Sequence, residues 1–500
     1  MSENSLLERH QPSIGMDVLQ VPILGRMLRG RRGRLMLQAP FAFVALALVI
    51  DGFVGPQSAA RNLATVAPWV HLRGFVVLAL LLAGNLVCMG CPFTLPRTLA
   101  KRLSIAGRRF PQRLRNKWLA IFSLFALFFA YEYLDLWASP WLTAWLIVGY
   151  FVGAFALEAV FTESAFCKYV CPLGSFNMVY STLSPTRIAV KSHGVCASCV
   201  GHECVKGSYA RQPQIRAADI PIGAGEETRQ LQVMQGPSGT LGCGTELFAP
   251  QMRGNMDCTM CLDCVRACPH DNVSLFTRAS GAELSRADSW PRRWDMSLLV
   301  IALAFMGISN AFGMVPPYYE LQAGLALNLG ITSEFVTLLL IFVVGNLLLP
   351  IAAVTGSAHL GRELTRFRKR DSLRDTVAAF APAFVPLGFG IWFAHYSFHL
   401  LVGPGLIVPL IQEFLGGVGD WERWSFSLDA NLIGSIQLVL LVGGFIWSMW
   451  LAQKTALRLY RRKALLGLLP WALLFTLMML AAWQIFTMPM EMRGTLELFG

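Results

Sequence analysis

The sequence predicts an all-α polytopic membrane protein of about nine transmembrane helices, with an inserted cytoplasmic α+β domain built around cysteines. Three observations lead there. Only 14% of the 500 residues are charged and 55% are hydrophobic, whereas soluble domains carry roughly 25% charged residues. The basic residues gather in alternate loops between apolar runs. Twelve cysteines fall mostly at spacings typical of metal ligands rather than of a disulfide framework, which belongs to small secreted domains.

Residues 1–36 read as a basic cytoplasmic tail. About 35 polar and basic residues precede the first apolar run, which does not fit a cleavable signal peptide. Residues 37–162 hold four spans, near Gln38–Val54, Gly74–Met89, Trp118–Trp137 and Trp141–Phe161. Residues 163–294 form the polar domain, and its stretch Lys206–Leu241, rich in Gly, Pro, Gln and Ser, reads as a long loop. Residues 295–500 hold five more spans, near Met296–Val315, Phe335–Val354, Thr376–Leu401, Leu432–Leu451 and Leu466–Phe486.

The loops set the orientation. Arg9–Arg34, Arg97–Lys117, Arg362–Arg374 and Lys454–Lys463 together carry 25 basic residues. The alternate loops carry four, Arg61, Arg73, Arg423 and Arg493. Basic loops stay in the cytoplasm, so the N-terminus and the central domain are expected inside a multi-pass cell membrane protein and the C-terminus outside. The net charge of +12 is thereby explained by topology, and no nucleic-acid partner is expected. Thiols on the cytoplasmic side remain reduced and free to bind metal.

The strongest motif is Cys258-Thr-Met-Cys261-Leu-Asp-Cys264-Val-Arg-Ala-Cys268-Pro269. This C-x2-C-x2-C-x3-C-P run is the bacterial ferredoxin signature, in which three thiolates wrap one [4Fe–4S] cluster and the fourth serves its neighbour. A structural zinc site normally uses two separated cysteine pairs instead. Cys196, Cys199, Cys204 and Cys243 supply the partner set, which makes two [4Fe–4S] clusters from eight cysteines. Whether Cys204 or Cys243 joins Cys268 is open at this level, and one cluster plus a zinc site is the competing reading. Asp257, Asp263, Arg266 and His270 flank the run, where charges and hydrogen bonds shift a cluster's potential or simply meet solvent.

Four cysteines remain, in Cys88-Met-Gly-Cys91-Pro92 and Cys167-Lys-Tyr-Val-Cys171-Pro172. Both follow spans that run inward, so both emerge at the cytoplasmic surface, where proline ends a helix. They are candidates for a third redox site, either a cluster or a reactive dithiol, set against a structural role as small buried hydrophobes. Inside the bilayer, Glu158 is a candidate proton carrier, because an intramembrane carboxylate is costly and by default functional. The alternative is a carboxylate that snorkels or pairs with Asn85. His71, His395 and His399 are candidate haem or quinone contacts or, more simply, interfacial histidines bonded to neighbouring helices. His395 and His399 share one helix face and do not suit a single haem together, although His71 with one of them is geometrically possible; the structural reading is favoured over haem.

The paired Cys-Pro motifs followed by a ferredoxin run resemble the membrane polyferredoxin superfamily. That group includes the quinol-dehydrogenase subunit of periplasmic nitrate reduction, the nitrous-oxide reductase regulator and an oxidase-assembly polyferredoxin. Residues Gly254–Val273, the Cys196-x2-Cys199-x4-Cys204-Val-Lys-Gly stretch and Gly242-Cys243 look closest to FesM-type membrane ferredoxins. The likeness covers about Cys88 to Leu275; beyond residue 295 it rests on the second hydrophobic block. It implies a ferredoxin-like 2[4Fe–4S] domain that passes electrons between a soluble donor such as ferredoxin and the quinone pool or a membrane redox enzyme. The alternative is an assembly or regulatory factor that reduces a metal or thiol while another metalloenzyme matures. A redox-sensing transporter ranks last, since no inverted repeat or paired broken helix is evident.

Overall fold

The computed structural model describes residues 15–30, 32–97, 100, 108–207, 240–286, 290, 293–366, 372–417 and 421–490. Most of the loop Lys206–Leu241 therefore lies outside the described residues. Among those described, seven helical stretches are long and apolar enough to cross a membrane, and the chain is a multi-pass membrane protein. Six of them are α2 (Gly33–Val54), α3 (Leu63–Ala83), α5 (Pro140–Val160), α8 (Trp294–Phe312), α9 (Glu334–Thr365) and α10 (Leu373–Val402), where α1 is the short helix Pro22–Arg29. The seventh, Ala430–Phe486, contains two helices, α11 (Ala430–Tyr460) and α12 (Ala464–Phe486). The shorter apolar helix α4 (Trp118–Tyr133) lies where a span was expected.

Burial separates an inner pair of helices from an outer ring. Of the most apolar stretch of α10, 89% is buried, and of α8, 78%; for α9 the share is 22% and for α2 28%. A helix apolar on all sides has no reason to be wrapped by protein except packing, and α10 achieves it with small residues. A Cβ on Gly388 would stand 2.9 Å from the Tyr180 hydroxyl, and one on Gly390 would stand 2.8 Å from the Leu440 carbonyl oxygen. Glycine thus lets backbones approach where the bilayer gives no hydrophobic drive for helix association. The outer helices instead present Phe41, Phe43, Leu46, Val439 and Leu465, all exposed, as expected for surfaces that face lipid.

The second span differs from its expected limits. Helix α3 begins at Leu63, passes through a wide turn at Ala67–Leu72, and stops at Gly84, which adopts φ +75°. Only a single turn, Leu86–Met89, follows. Cys88 consequently sits beyond a break in the helix rather than on the end of the span. Gly84 is needed there both for its φ and for room, since a Cβ would meet Ser184, Thr186 and Met260 within 2.9 Å.

The polar insertion is stitched by a two-stranded antiparallel sheet, β1 (Thr186–Val190) and β2 (Val273–Thr277), in the register Ile188↔Leu275. Strand β1 follows helix α6 (Pro172–Tyr180), and β2 follows the one-turn helix α7 (Asp263–Ala267). The N-terminal segment is no free tail from residue 16 onward. Asp17 bridges to Phe276 and accepts a hydrogen bond from Ser274 Oγ. Leu19 and Leu28 are buried with Ile188, Cys258 and Leu275, and Arg29 pairs with Asp271 at 2.9 Å.

Candidate functional site

The ferredoxin run is wound by backbone that glycine would normally supply. Asp257, Met260 and Leu262 all have positive φ (63°, 48° and 59°). Left-handed non-glycine residues each cost about 1–2 kcal/mol, and such strain clusters at functional sites. The winding turns Cys258, Cys261 and Cys264 to one side, all three 8–9% exposed. Cys264 lies within electrostatic reach of Cys261, Cys243 and Cys258. Cys243 arrives from the far side of the loop, its sulfur accepting a hydrogen bond from Leu247 N at 3.3 Å. Met260 N likewise donates to Cys258 Sγ at 3.4 Å.

Cys268 turns away from its own run and meets the other set. Cys204 lies within reach of Cys196, Cys268 and Cys199, and all four line one pocket with His202 and Phe248. Asn272 organises this group: its backbone N donates to Cys268 Sγ at 3.4 Å and its Nδ2 to Cys196 Sγ at 3.0 Å. The sequence leaves this pairing open, and the folded chain brings the sulfurs together in one of the two ways. Cys204 stands with Cys268, and Cys243 stands with Cys258, Cys261 and Cys264.

The two Cys-Pro motifs form a third group. Cys171 is within reach of Cys167, Cys91 and Cys88. Their backbones match: Cys91 has φ −61° and ψ 120°, Cys171 has φ −65° and ψ 116°, and each precedes a proline that opens a helical turn. The residue before proline favours this extended geometry, which makes the cysteine an N-cap. Gly174 N accordingly donates to Cys171 Sγ at 3.1 Å, and Asn177 Nδ2 donates to Cys88 Sγ at 3.4 Å.

The three groups adjoin one another. Cys258 of the first feels Cys88 of the third, and Asn85 Nδ2 holds the Cys258 carbonyl at 2.8 Å. The one-turn helix α7 joins Cys264 of the first group to Cys268 of the second. Burial pushes the thiols up, Cys261 and Cys204 to about 11 and Cys88 and Cys91 to about 12. Without a cation these sulfurs stay protonated; with one, each ligand gives up its proton.

The donor set fits iron–sulfur clusters: three sets of four soft thiol ligands, with amide N–H groups aimed at sulfur. Among the described residues no three His, Cys, Asp or Glu side chains converge on a point that would hold one metal ion. A cubane has a different requirement, because each thiolate binds a different iron and the four sulfurs surround the cube rather than one centre.

Glu158 is buried, and its partner is Arg97, at 3.5 Å, rather than Asn85. Arg97 also contacts Asp263 at 3.4 Å, and Asp263 receives Arg34 at 3.3 Å and Arg266 at 2.6 Å. Burial would raise the Asp263 carboxyl, but these arginines hold it below the usual range. The ion network therefore runs from the end of α5 to the ferredoxin run, passing Cys167 and Cys261. Sequence reading missed Arg97 because a basic loop residue is counted for topology, and only the fold reveals its two carboxylate partners.

His71, His395 and His399 pair with backbone or with each other. His71 Nδ1 and Nε2 lie 3.3 and 3.0 Å from the Val66 and Gly403 carbonyl oxygens. His395 and His399 are buried and face each other, Nε2 to Nε2, at 3.2 Å.

The fold and site define a class: a multi-pass helical membrane protein whose cysteines gather in three groups of four at one end of its bundle. The chain is similar to the Escherichia coli (strain K12) protein described as "Putative electron transport protein YccM", with 26% identity over 155 residues. That match covers 31% of this chain, and the chain spans about a third (33%) of the length of the curated relative. No protein-family profile matches the chain, and no solved structure is similar to it.

Proposed function

We propose that the protein is a membrane-bound iron–sulfur electron-transfer protein. It would carry [4Fe–4S] clusters at Cys258/Cys261/Cys264/Cys243 and at Cys196/Cys199/Cys204/Cys268, with a third at Cys88/Cys91/Cys167/Cys171. The observation that carries this reading is the sorting of all twelve cysteines into three adjoining groups of four. Similarity to a protein described as an electron-transport protein supports it, as does the ferredoxin spacing. The clusters, when bound, supply one-electron carriers.

The chain's own residues do the rest. Asn272, Asn177 and the amides of Leu247, Met260 and Gly174 donate to sulfur, which favours the more negatively charged, reduced state. The group of Cys196 and Cys268 is the more accessible and suits a soluble cytoplasmic donor such as ferredoxin. The Cys-Pro motifs follow α3 and α5 in the chain, and the group suits the quinone pool or a membrane redox enzyme. The positive loops support an orientation with the N-terminus and the cysteine groups in the cytoplasm and the C-terminus outside. Glu158, tied to Arg97, keeps a charged chain of side chains at the membrane edge of this path. The maturation-factor alternative needs a reactive dithiol at the Cys-Pro motifs. Burial pushes Cys88 and Cys91 up to about 12, which keeps the free thiols protonated, and both a nucleophile and a metal ligand need the thiolate.

The test is iron, sulfide and zinc content of anaerobically purified protein, with low-temperature EPR after reduction. About twelve irons per chain with coupled [4Fe–4S] signals is the expected result. About eight would leave the Cys-Pro cysteines as thiols, and zinc in place of iron would overturn the electron-transfer reading.

A further inference from the structure

Lys117 immediately precedes α4 and is only 2% exposed. Lysine is almost never fully buried unless it is paired, and this one is paired twice. Its Nζ lies 2.5 Å from Asp257 Oδ1 and donates to the Lys168 carbonyl at 2.6 Å. Its backbone N donates to Asp295 Oδ2 at 2.8 Å, which fastens it to the first turn of α8. The lysine is thus anchored on the helix bundle while its side chain reaches two of the cysteine groups.

The two partners of the ammonium belong to different groups. Asp257 directly precedes Cys258 and holds a positive φ. Lys168 lies between Cys167 and Cys171, in the wide helical turn Phe166–Val170. Arg293 is also within electrostatic reach of Asp257, but it is bonded to Asp295. Lys168 makes the return link: its Nζ donates to the Thr245 carbonyl at 2.5 Å, and Thr245 Oγ1 lies 3.4 Å from Cys243 Sγ. Cys258 and Cys243 of the first group are therefore each tied, through one lysine, to the segment that carries Cys167 and Cys171.

A buried ion pair adds little net stability over apolar packing of similar shape, so stability alone does not account for a lysine at position 117. An ammonium supplies what an apolar chain of that length cannot, a set of directed donors. Asn85 and Arg97 hold the first group at other points, the Cys258 carbonyl and Asp263. The lysines fix the remaining flank, Asp257 and Thr245. A left-handed turn such as that at Asp257 persists only where its surroundings over-determine it.

We propose that Lys117 and Lys168 are positioning residues that fix the distance and orientation of the first cysteine group relative to the third, and so set the electron step between the two clusters. This inference rests on the electron-transfer reading and on both groups holding clusters.

The test is low-temperature EPR with iron analysis of the full-length protein, reduced anaerobically in detergent. Two variants are compared with the parent: Lys168→Met, and Lys117→Met combined with Asp257→Asn, which leaves neither charge of that pair buried alone. Each should keep the parent's iron content and change the splitting that arises between the first and third clusters. The splitting between the first and second clusters, joined by α7 without either lysine, should stay as in the parent. Lys168→Arg, which keeps a cationic donor, should return the first splitting toward the parent's. Full iron content with an unchanged splitting in both variants overturns the proposal and leaves the electron-transfer reading standing. Loss of iron from the first group also overturns it, by assigning the lysines to cluster assembly rather than spacing. A parent protein without iron in the Cys-Pro group overturns the three-cluster reading and this proposal together.

Discussion

Ligand exchange between the first two cysteine groups gives the sharpest test of the site. The structure pairs Cys243 with Cys258 and pairs Cys204 with Cys268. Two double variants separate this from the reverse pairing. Cys243→Ser with Cys258→Ser removes two thiols from one group and leaves the other complete. Iron should fall from about twelve to about eight per chain, at about four irons per cluster, and the EPR signal of the second group should persist. Cys204→Ser with Cys258→Ser takes one thiol from each group, so both signals should change together. Neighbouring ligands of one centre are non-additive, whereas ligands of separate centres act independently. The assay is iron analysis with EPR on anaerobically reduced membranes, and a spectrum that retains a third, unperturbed Cys-Pro signal serves as internal reference. The reverse pattern, with both signals perturbed by the Cys243/Cys258 pair and only one by the Cys204/Cys258 pair, would refute the geometry.

Two further outcomes follow from hydrogen bonds and charges. Asn272→Leu removes the 3.0 Å bond to Cys196 Sγ; a hydrogen bond worth about 0.5–1.5 kcal/mol corresponds to a fall of roughly 20–60 mV in the potential of that group for a one-electron couple. An EPR-monitored redox titration reads it, and an unmoved potential would show that the amide does not bear on the cluster. Arg97→Met leaves Glu158 buried without its cation, which costs about 3–5 kcal/mol. Glu158→Gln in the Arg97→Met background should restore much of the lost thermal stability in detergent. A double-mutant cycle that closes near zero would remove Arg97 as the bridge between α5 and the ferredoxin run.

Much of the fold was legible because the bilayer imposes a coarse rule. A spanning segment must satisfy its own backbone and stay apolar for its whole length, and each expected span falls on an apolar helix. Only the limits moved, chiefly at α3, where Gly84 ends the helix before Cys88. Exposure on α9 against burial on α10 was not legible, since both sequences are apolar over a membrane-spanning stretch. The segment from Met16 to Arg29 likewise reads as part of a basic tail, yet Leu19 and Leu28 are buried with Ile188 and Leu275 of the sheet; its apolar residues come in stretches too short to announce which of them will dock.

The sequence by itself determined that the chain is a multi-pass membrane protein and that its cysteines are spaced as ligands, because hydropathy and tight C-x2-C spacing are local properties. The partner of each cysteine was decided only in three dimensions. Cys243 is separated from Cys204 by 38 intervening residues, and nothing in spacing tells which of the two a folded loop will return to the ferredoxin run. The same holds for Glu158 and Arg97. Attraction and repulsion between charges depend on distance in space, and the folded chain sets that distance through contacts remote in sequence.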